Sequence, residues 1–198
     1  MPSCFSFMKV SDAIWKRRSI RRFQQREVEE RKIIKCIDAA RIAPSAANLQ
    51  PLEYIVVRKP EIRKKIFKEI KWAGYLNWNP REDEAPMAYV AVLKNRNILS
   101  DGKYDVGLAV ENMILCGMEE GISSCIIASF DKKRAREILD VPEKMEIELL
   151  VAFGYPAEKS VMEEMKDSIK YYRVKDVLHV PKRKLDDIVH FERFTKKD

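Results

Sequence analysis

Residues 17–22 read Arg-Arg-Ser-Ile-Arg-Arg. Guanidinium groups stay charged at any working pH and donate from a rigid fork, so arginines crowded around one hydroxyl need anionic or acceptor partners. Two readings fit. One is a solvated basic turn, in the manner of a nuclear-type basic signal. The other is a phosphate clamp, with forked arginines, the Ser19 hydroxyl and exposed backbone N–H groups converging on one phosphate. A second stretch, Ala43-Pro44-Ser45-Ala46-Ala47-Asn48-Leu49-Gln50-Pro51, combines small residues with a hydroxyl and amides. Ala46 and Ala47 let a flat ligand or another backbone approach closely, while Ser45 and Asn48 offer hydrogen bonds. The same residues also suit a proline-bounded turn in which Ser and Asn bond their own backbone.

Protein-borne catalytic machinery is missing from the sequence. Its histidines are His179 and His190, both in a basic C-terminal stretch. There is no H-E-x-x-H, Walker A, G-x-G-x-x-G or G-x-S-x-G pattern. No Cys/His cluster has zinc-ligand spacing, so no metal is expected. Asp186-Asp187 and Glu163-Glu164 fall in polar, solvated stretches. An enzyme built on this chain takes its reactivity from a cofactor.

Helices and strands alternate around these motifs. Apolar residues at helical spacing predict helices over 27–42, 61–71 and 104–120, with Pro44 ending the first and Gly121 capping the third. Strands are expected over 52–57, 87–93, 124–128 and 146–153, the second buried on both faces. Asp131 is a fitting N-cap for a helix reaching Leu139. Residues 72–86, with Trp72, Tyr75 and Trp78, form a long irregular segment of the kind that serves as a lid or binding loop, or that seals a core edge. Beyond Pro156 the periodicity weakens and no compact unit is evident. The alternation argues for helices around one sheet.

Composition bounds the class. The chain has 198 residues and a net charge of +7, with 46% hydrophobic and 35% charged residues. That suits one domain with a sizeable core. No apolar run is long enough to span a bilayer, and residues 1–10 lack the order of a secretory signal. Cys4, Cys36, Cys116 and Cys125 form no C-x-x-C pair, which fits reduced thiols and a cytoplasmic location. The basic balance is compatible with a nucleic acid, an anionic cofactor or anionic substrates.

Taken in order, Arg17-Arg18-Ser19-Ile20-Arg21, the Ala43-to-Pro51 stretch, Asp105-Val-Gly-Leu-Ala-Val-Glu-Asn-Met113, Gly121-Ile-Ser-Ser-Cys125 and Gly154-Tyr155-Pro156 closely resemble the nitroreductase family of FMN-dependent oxidoreductases. The likeness covers nearly the whole chain. It implies an α+β fold, a three-layer sandwich with a mixed central sheet flanked by helices. Residues 1–198 then form one domain, in which about 157–198 extend onto the partner of a homodimer with FMN at the interface.

The resemblance also implies roles for particular residues. Arg17, Arg18, Ser19 and Arg21 match the flavin-binding cluster. Within it Arg17 and Ser19 face the phosphate and ribityl chain, Arg21 faces the pyrimidine edge, and Arg22 is left as a surface charge. Pro44, Ser45, Ala46 and Asn48 cover the ring from the partner subunit. Ile127, Ala128 and Ser129 turn backbone groups toward flavin N5. Lys182 and Arg183 match a basic contact to the phosphate, with the choice between them open. Tyr75 and Trp78 are candidates for shaping the acceptor pocket. No side chain is catalytic in this scheme. NADH or NADPH delivers hydride to N5, and a nitroaromatic, quinone or similar acceptor then takes its place in a ping-pong cycle.

Three alternatives stand beside this. The same fold supports dehalogenation or flavin fragmentation, or plain FMN storage. More remotely, 17–22 and 182–184 could form a basic nucleic-acid surface, which predicts salt-dependent binding and no chromophore. The sequence lacks the aromatic–basic interleaving of such modules, so no nucleic-acid partner is expected.

Overall fold

The computed structural model describes residues 8–195; Cys4 lies outside them. The element order is α1 (Val10–Lys16), α2 (Glu30–Arg41), β1 (Leu52–Val57), α3 (Pro60–Lys68), β2 (Ala88–Asn95), α4 (Lys103–Glu119), β3 (Ser123–Ile127), α5 (Lys132–Ile138), β4 (Met145–Gly154), β5 (Lys159–Glu164), β6 (Tyr172–Val174) and β7 (Val177–Lys182). The main sheet runs β1-β2-β4-β3. Its ladders are antiparallel. The parallel contribution is a bridge from Ser19 to Ser124 at the β3 edge.

Alternation along β2 separates two apolar layers, as the period-2 geometry of a strand requires. Ala88, Val90 and Val92 face α2 and α4, where they meet Ile33, Cys36, Met113 and Ile114. Tyr89, Ala91 and Leu93 face α3 and α5, where they meet Ile66, Ile70 and Ala135. This is the expected helix–sheet–helix sandwich, with the strand buried on both faces. Asp131 caps α5 as expected, its carboxylate accepting from Arg134 N–H at 2.9 Å.

The segment past Pro156 has more structure than its sequence suggests. It forms a small mixed sheet, β5-β7-β6, with β5 parallel and β6 antiparallel to β7. Its strands are short and mostly half-exposed, so they lack the apolar run or clean alternation that marks a strand in sequence. Past β7, Leu185, Ile188, Phe191 and Phe194 are exposed, Phe194 at 84%.

Glycine at 154 has a steric reason. A Cβ there would meet Phe23 Cδ1 at 2.6 Å. Phe23 is 1% exposed, and its N–H donates to the Glu84 carbonyl at 2.9 Å. Tyr155, the next residue, donates to Glu29 Oε2 at 2.7 Å. The Gly-Tyr-Pro motif thus fastens the N-terminal arm and α2 to the end of β4.

Candidate functional site

The arginine cluster lies on an extended arm between α1 and Phe23. Ile20 N–H donates to the Ser124 carbonyl at 2.9 Å, and the buried Ile20 side chain plugs the arm into the core. Arm residues Arg17, Arg18, Ser19 and Arg21 line a cavity of about 170 Å³ together with Tyr171, Val180 and Lys182. One wall is therefore the arm and the other is the small C-terminal sheet. Tyr171 and Val180 went unremarked in the sequence because they sit in its weakly patterned region.

The basic residues divide by task. Arg18 turns back on its own helix: Nη2 donates to the Trp15 carbonyl at 2.6 Å, and Nη1 donates to the Arg17 carbonyl. It satisfies the open carbonyl end of α1, and burial beside Arg17 lowers its pKa from the ordinary guanidinium value. Arg17 stands 3.6 Å from Glu111 of α4. Arg21 Nε donates to the Trp72 carbonyl at 3.2 Å, and its guanidinium lies over the Tyr171 ring at 4.9 Å. No carboxylate among the described residues pairs with the side chains of Arg21 or Lys182. A small cavity ringed by this much uncompensated positive charge attracts anions.

Lys182 and Arg183 part company. Lys182 lines the cavity, whereas Arg183 donates to the Asp187 carbonyl at 3.0 Å outside it. Arg22, expected as a surface charge, instead lies half-buried, 3.3 Å from Glu84 and over the Trp78 ring. The histidines stay away from the cavity. His179 pairs with Glu163 on the small sheet, and His190 pairs with Thr195.

Ile127, Ala128 and Ser129 run off the end of β3 and are not among the residues that line the arginine cavity. The Ser129 carbonyl accepts from Lys71 N–H at 2.9 Å, and Trp72, the residue after Lys71, holds Arg21 through its carbonyl. Ile127 is buried, while Ala128 and Ser129 are exposed. Of the two aromatic candidates, Tyr75 packs on cavity-lining Tyr171 with ring centroids 5.1 Å apart. Trp78 instead lies under the guanidiniums of Arg22 and Arg173.

Pro44 and Ser45 line a different cavity, of about 150 Å³, with Tyr54, Asp105 and Ala109 among its walls, whereas Ala46 and Asn48 are exposed and outside its lining. Both turn-like and ligand-like features appear in the Pro44-to-Asn48 loop. Ser45 Oγ accepts from Gln50 N–H at 3.1 Å, so this hydroxyl shapes the turn. Ala47, Asn48 and Gln50 all have φ near +50°, a region L-residues adopt at a cost and that clusters at functional sites. Buried Asp105 holds the strained turn by accepting from Ala46 N–H. Asp105 and Glu111 lie six residues apart on α4, about 9 Å along its axis and about 120° around it. The chain therefore presents its loop and its arginine cavity on different faces of α4.

A third cavity, about 310 Å³ and between α3 and residues 82–86, is larger. It mixes Arg63 and Lys64 with Glu82 and Asp83 from the end of the 72–86 segment, and it includes none of the residues matched to the flavin site. Its opposed charges do not gather an anion, which makes the arginine cavity the better candidate despite its smaller size.

The nitroreductase family model matches residues 14–155, and the chain belongs to that family. A relative in Archaeoglobus fulgidus, provisionally named an NADH dehydrogenase/NAD(P)H nitroreductase, is 30% identical over 81% of this chain and 93% of its own. An iodotyrosine deiodinase of Haliscomenobacter hydrossis is 25% identical over 75% of this chain and 80% of its own. Among solved structures, an FMN-dependent nitroreductase of Clostridium difficile superposes with a TM-score of 0.68 and 27% identity, covering 92% of this chain and 98% of that one. No helix among the described residues is long and apolar enough to cross a membrane.

Proposed function

We propose that this chain is an FMN-dependent oxidoreductase that uses NADH or NADPH to reduce nitroaromatic, quinone or similar acceptors. The observation that carries the reading is the cavity lined by Arg17, Ser19, Arg21 and Lys182, in which the side chains of Arg21 and Lys182 have no acidic partner among the described residues. That donor set fits a phosphate bearing close to two negative charges. FMN, when bound, supplies hydride chemistry between the nicotinamide nucleotide and the acceptor.

The chain's own residues bind and orient. Arg17, Ser19 and Lys182 hold the phosphate. Arg21, fixed by the Trp72 carbonyl and Tyr171, would offer its terminal nitrogens to the pyrimidine edge and stabilise negative charge there. Backbone groups of Ile127, Ala128 and Ser129 would face the reactive edge of the flavin, and Tyr75, packed on Tyr171, would border the acceptor side.

The cavity of about 170 Å³ is smaller than the ~300–1,000 Å³ that encloses a drug-sized ligand. It accommodates the phosphate end and leaves the flat ring to be covered from elsewhere. The exposed Pro44-to-Asn48 loop, on another face of α4, suits that task when supplied by a second copy. Exposed Leu185, Ile188, Phe191 and Phe194 suit the expected extension of the C-terminal stretch onto that partner. The reading is thus a homodimer with two shared sites. A cytoplasmic location belongs to the same proposal and fits the free thiols of Cys36, Cys116 and Cys125.

The test is anaerobic. Purified protein loaded with FMN and given NADH or NADPH should lose its visible absorbance and regain it on addition of a nitroaromatic or a quinone. Protein that binds FMN but is reduced by neither nucleotide contradicts the reductase reading. The deiodinase likeness favours one second reading, reductive dehalogenation at the same site. Halide released from a halogenated phenol, with no turnover of nitroaromatics, would select it.

A further inference from the structure

Glu158 follows the Gly-Tyr-Pro-Ala sequence at the start of the small sheet, and its side chain is 0% exposed. A carboxylate taken wholly out of water must be paired and hydrogen-bonded. Its Oε1 accepts from Arg21 N–H at 2.6 Å and from Arg22 N–H at 3.2 Å. Its Oε2 accepts from Arg173 Nη2 at 2.7 Å. Arg173 is on β6, next but one to Tyr171, and its guanidinium lies over Trp78. Its Nε and Nη1 are buried with no hydrogen-bond partner among the described residues, so Glu158, bonded to Nη2, is the acceptor that holds it.

These contacts join the two walls of the arginine cavity. One oxygen fixes the backbone at Arg21, the residue whose guanidinium the cavity presents. The other fixes the small sheet that brings Tyr171, Val180 and Lys182 to the opposite wall. The Ala157 N–H adds a backbone bond to the Arg22 carbonyl at 2.9 Å. Glu158 is absent from the cavity lining, so its effect on a ligand passes through Arg21 and the sheet.

We propose that Glu158 is a positioning residue: its buried carboxylate sets the separation of Arg21 from Lys182 and thereby tunes both FMN affinity and the preference for reduced over oxidised FMN. This rests on the FMN reading above. A preorganised donor contributes because it needs no rearrangement when charge develops. With its carboxylate removed, the arm and the sheet are free to drift apart, and Arg21 loses its fixed aim.

The experiment titrates FMN into the full-length apoprotein, oxidised and reduced, with flavin fluorescence and absorbance as readouts. Wild type, Glu158→Gln, Arg173→Gln and the Glu158→Gln/Arg173→Gln double variant are compared, with circular dichroism confirming folding. Glu158→Gln should raise the Kd for oxidised FMN at least tenfold. It should also lower the reduced-to-oxidised affinity ratio severalfold. The double variant, which replaces the orphaned guanidinium with an amide, should recover part of the affinity.

A purely structural role would lower thermal stability while leaving the folded protein's affinity ratio at the wild-type value, and that result overturns the proposal. So does a Glu158→Gln protein within twofold of wild type on both measures. Should Glu158→Gln not fold, Arg173→Gln alone decides: a tenfold loss supports the link and wild-type affinity overturns it. Wild type that takes up no FMN sinks the flavin reading itself, and this inference with it.

Discussion

Gly154 lies directly against Phe23, close enough that a single added methyl group would overlap the ring. The contact matters because Phe23 ends the arm that carries Arg17, Ser19 and Arg21. The Phe23 backbone is held on both sides, by the Glu84 carbonyl and by its bridge to Pro156. It cannot shift without moving the arm. Gly154→Ala should therefore destabilise the protein by about 1–3 kcal/mol, the usual cost of overpacking. Thermal unfolding would show this as a fall of roughly 2–4 °C per kcal/mol. An unchanged midpoint would mean that the arm yields freely.

The strained turn at 47–50 depends on Asp105. Removing that carboxylate takes away the acceptor of the part-buried Ala46 N–H, and a hydrogen bond to a charged group contributes about 1.5–3 kcal/mol. Asp105→Ala should lose about that much in urea unfolding, and Asp105→Asn, which keeps one oxygen, should lose less. Equal losses in the two variants would show that the turn does not rely on this acceptor.

Lys182 and Arg183 are neighbours with the same charge, and geometry separates them. Lys182→Ala should raise the Kd for FMN about 10–100-fold, the loss of one charge-assisted hydrogen bond of about 1.5–3 kcal/mol. Arg183→Ala should stay within about twofold, since its guanidinium is engaged with the Asp187 carbonyl. Isothermal titration with FMN at fixed salt checks the pair, and the reverse order would place the phosphate elsewhere.

Alkaline pH should weaken the fold. Burial pushes the Tyr54 phenol from 10.0 up to about 12. Between those values the unfolded chain sheds the proton while the folded chain must keep it, so stability falls as pH rises from 10 to 12. Lys94 acts in the same direction: the Glu148 hydrogen bond, with Glu148 and Glu146 charge, raises it above 10.5 against the effect of burial. Its contribution is complete below 10.5 and is lost above its folded value. Urea midpoints measured from pH 8 to pH 12 should decline, and less steeply in Tyr54→Phe. A Tyr54→Phe curve parallel to wild type would contradict the assignment to Tyr54.

The sandwich was legible in sequence because its signals are local. Apolar spacing over α2, α3 and α4, β-branched runs at β1 and β2, and the caps at Asp131 and Gly121 each declare themselves within a dozen residues. The arginine cluster was legible by charge density, yet charge alone did not tell Lys182 from Arg183 or reveal that Arg22 pairs with Glu84. Those outcomes depend on which way a strand faces and on partners far along the chain. The small sheet stayed hidden for the same reason. Glu158 is 137 positions from the Arg21 amide it holds, and nothing in its neighbours' sequence announces a buried carboxylate.

In the proposed function the arginine cavity holds the phosphate end of FMN. The most direct measurement compares the binding of FMN and of riboflavin, which lacks the phosphate, to wild-type and Arg17→Ala apoprotein. The account predicts that wild type prefers FMN by at least 100-fold, and that Arg17→Ala loses most of this preference while its affinity for riboflavin changes little. Equal binding of the two flavins by wild type, or no binding of either, would contradict it.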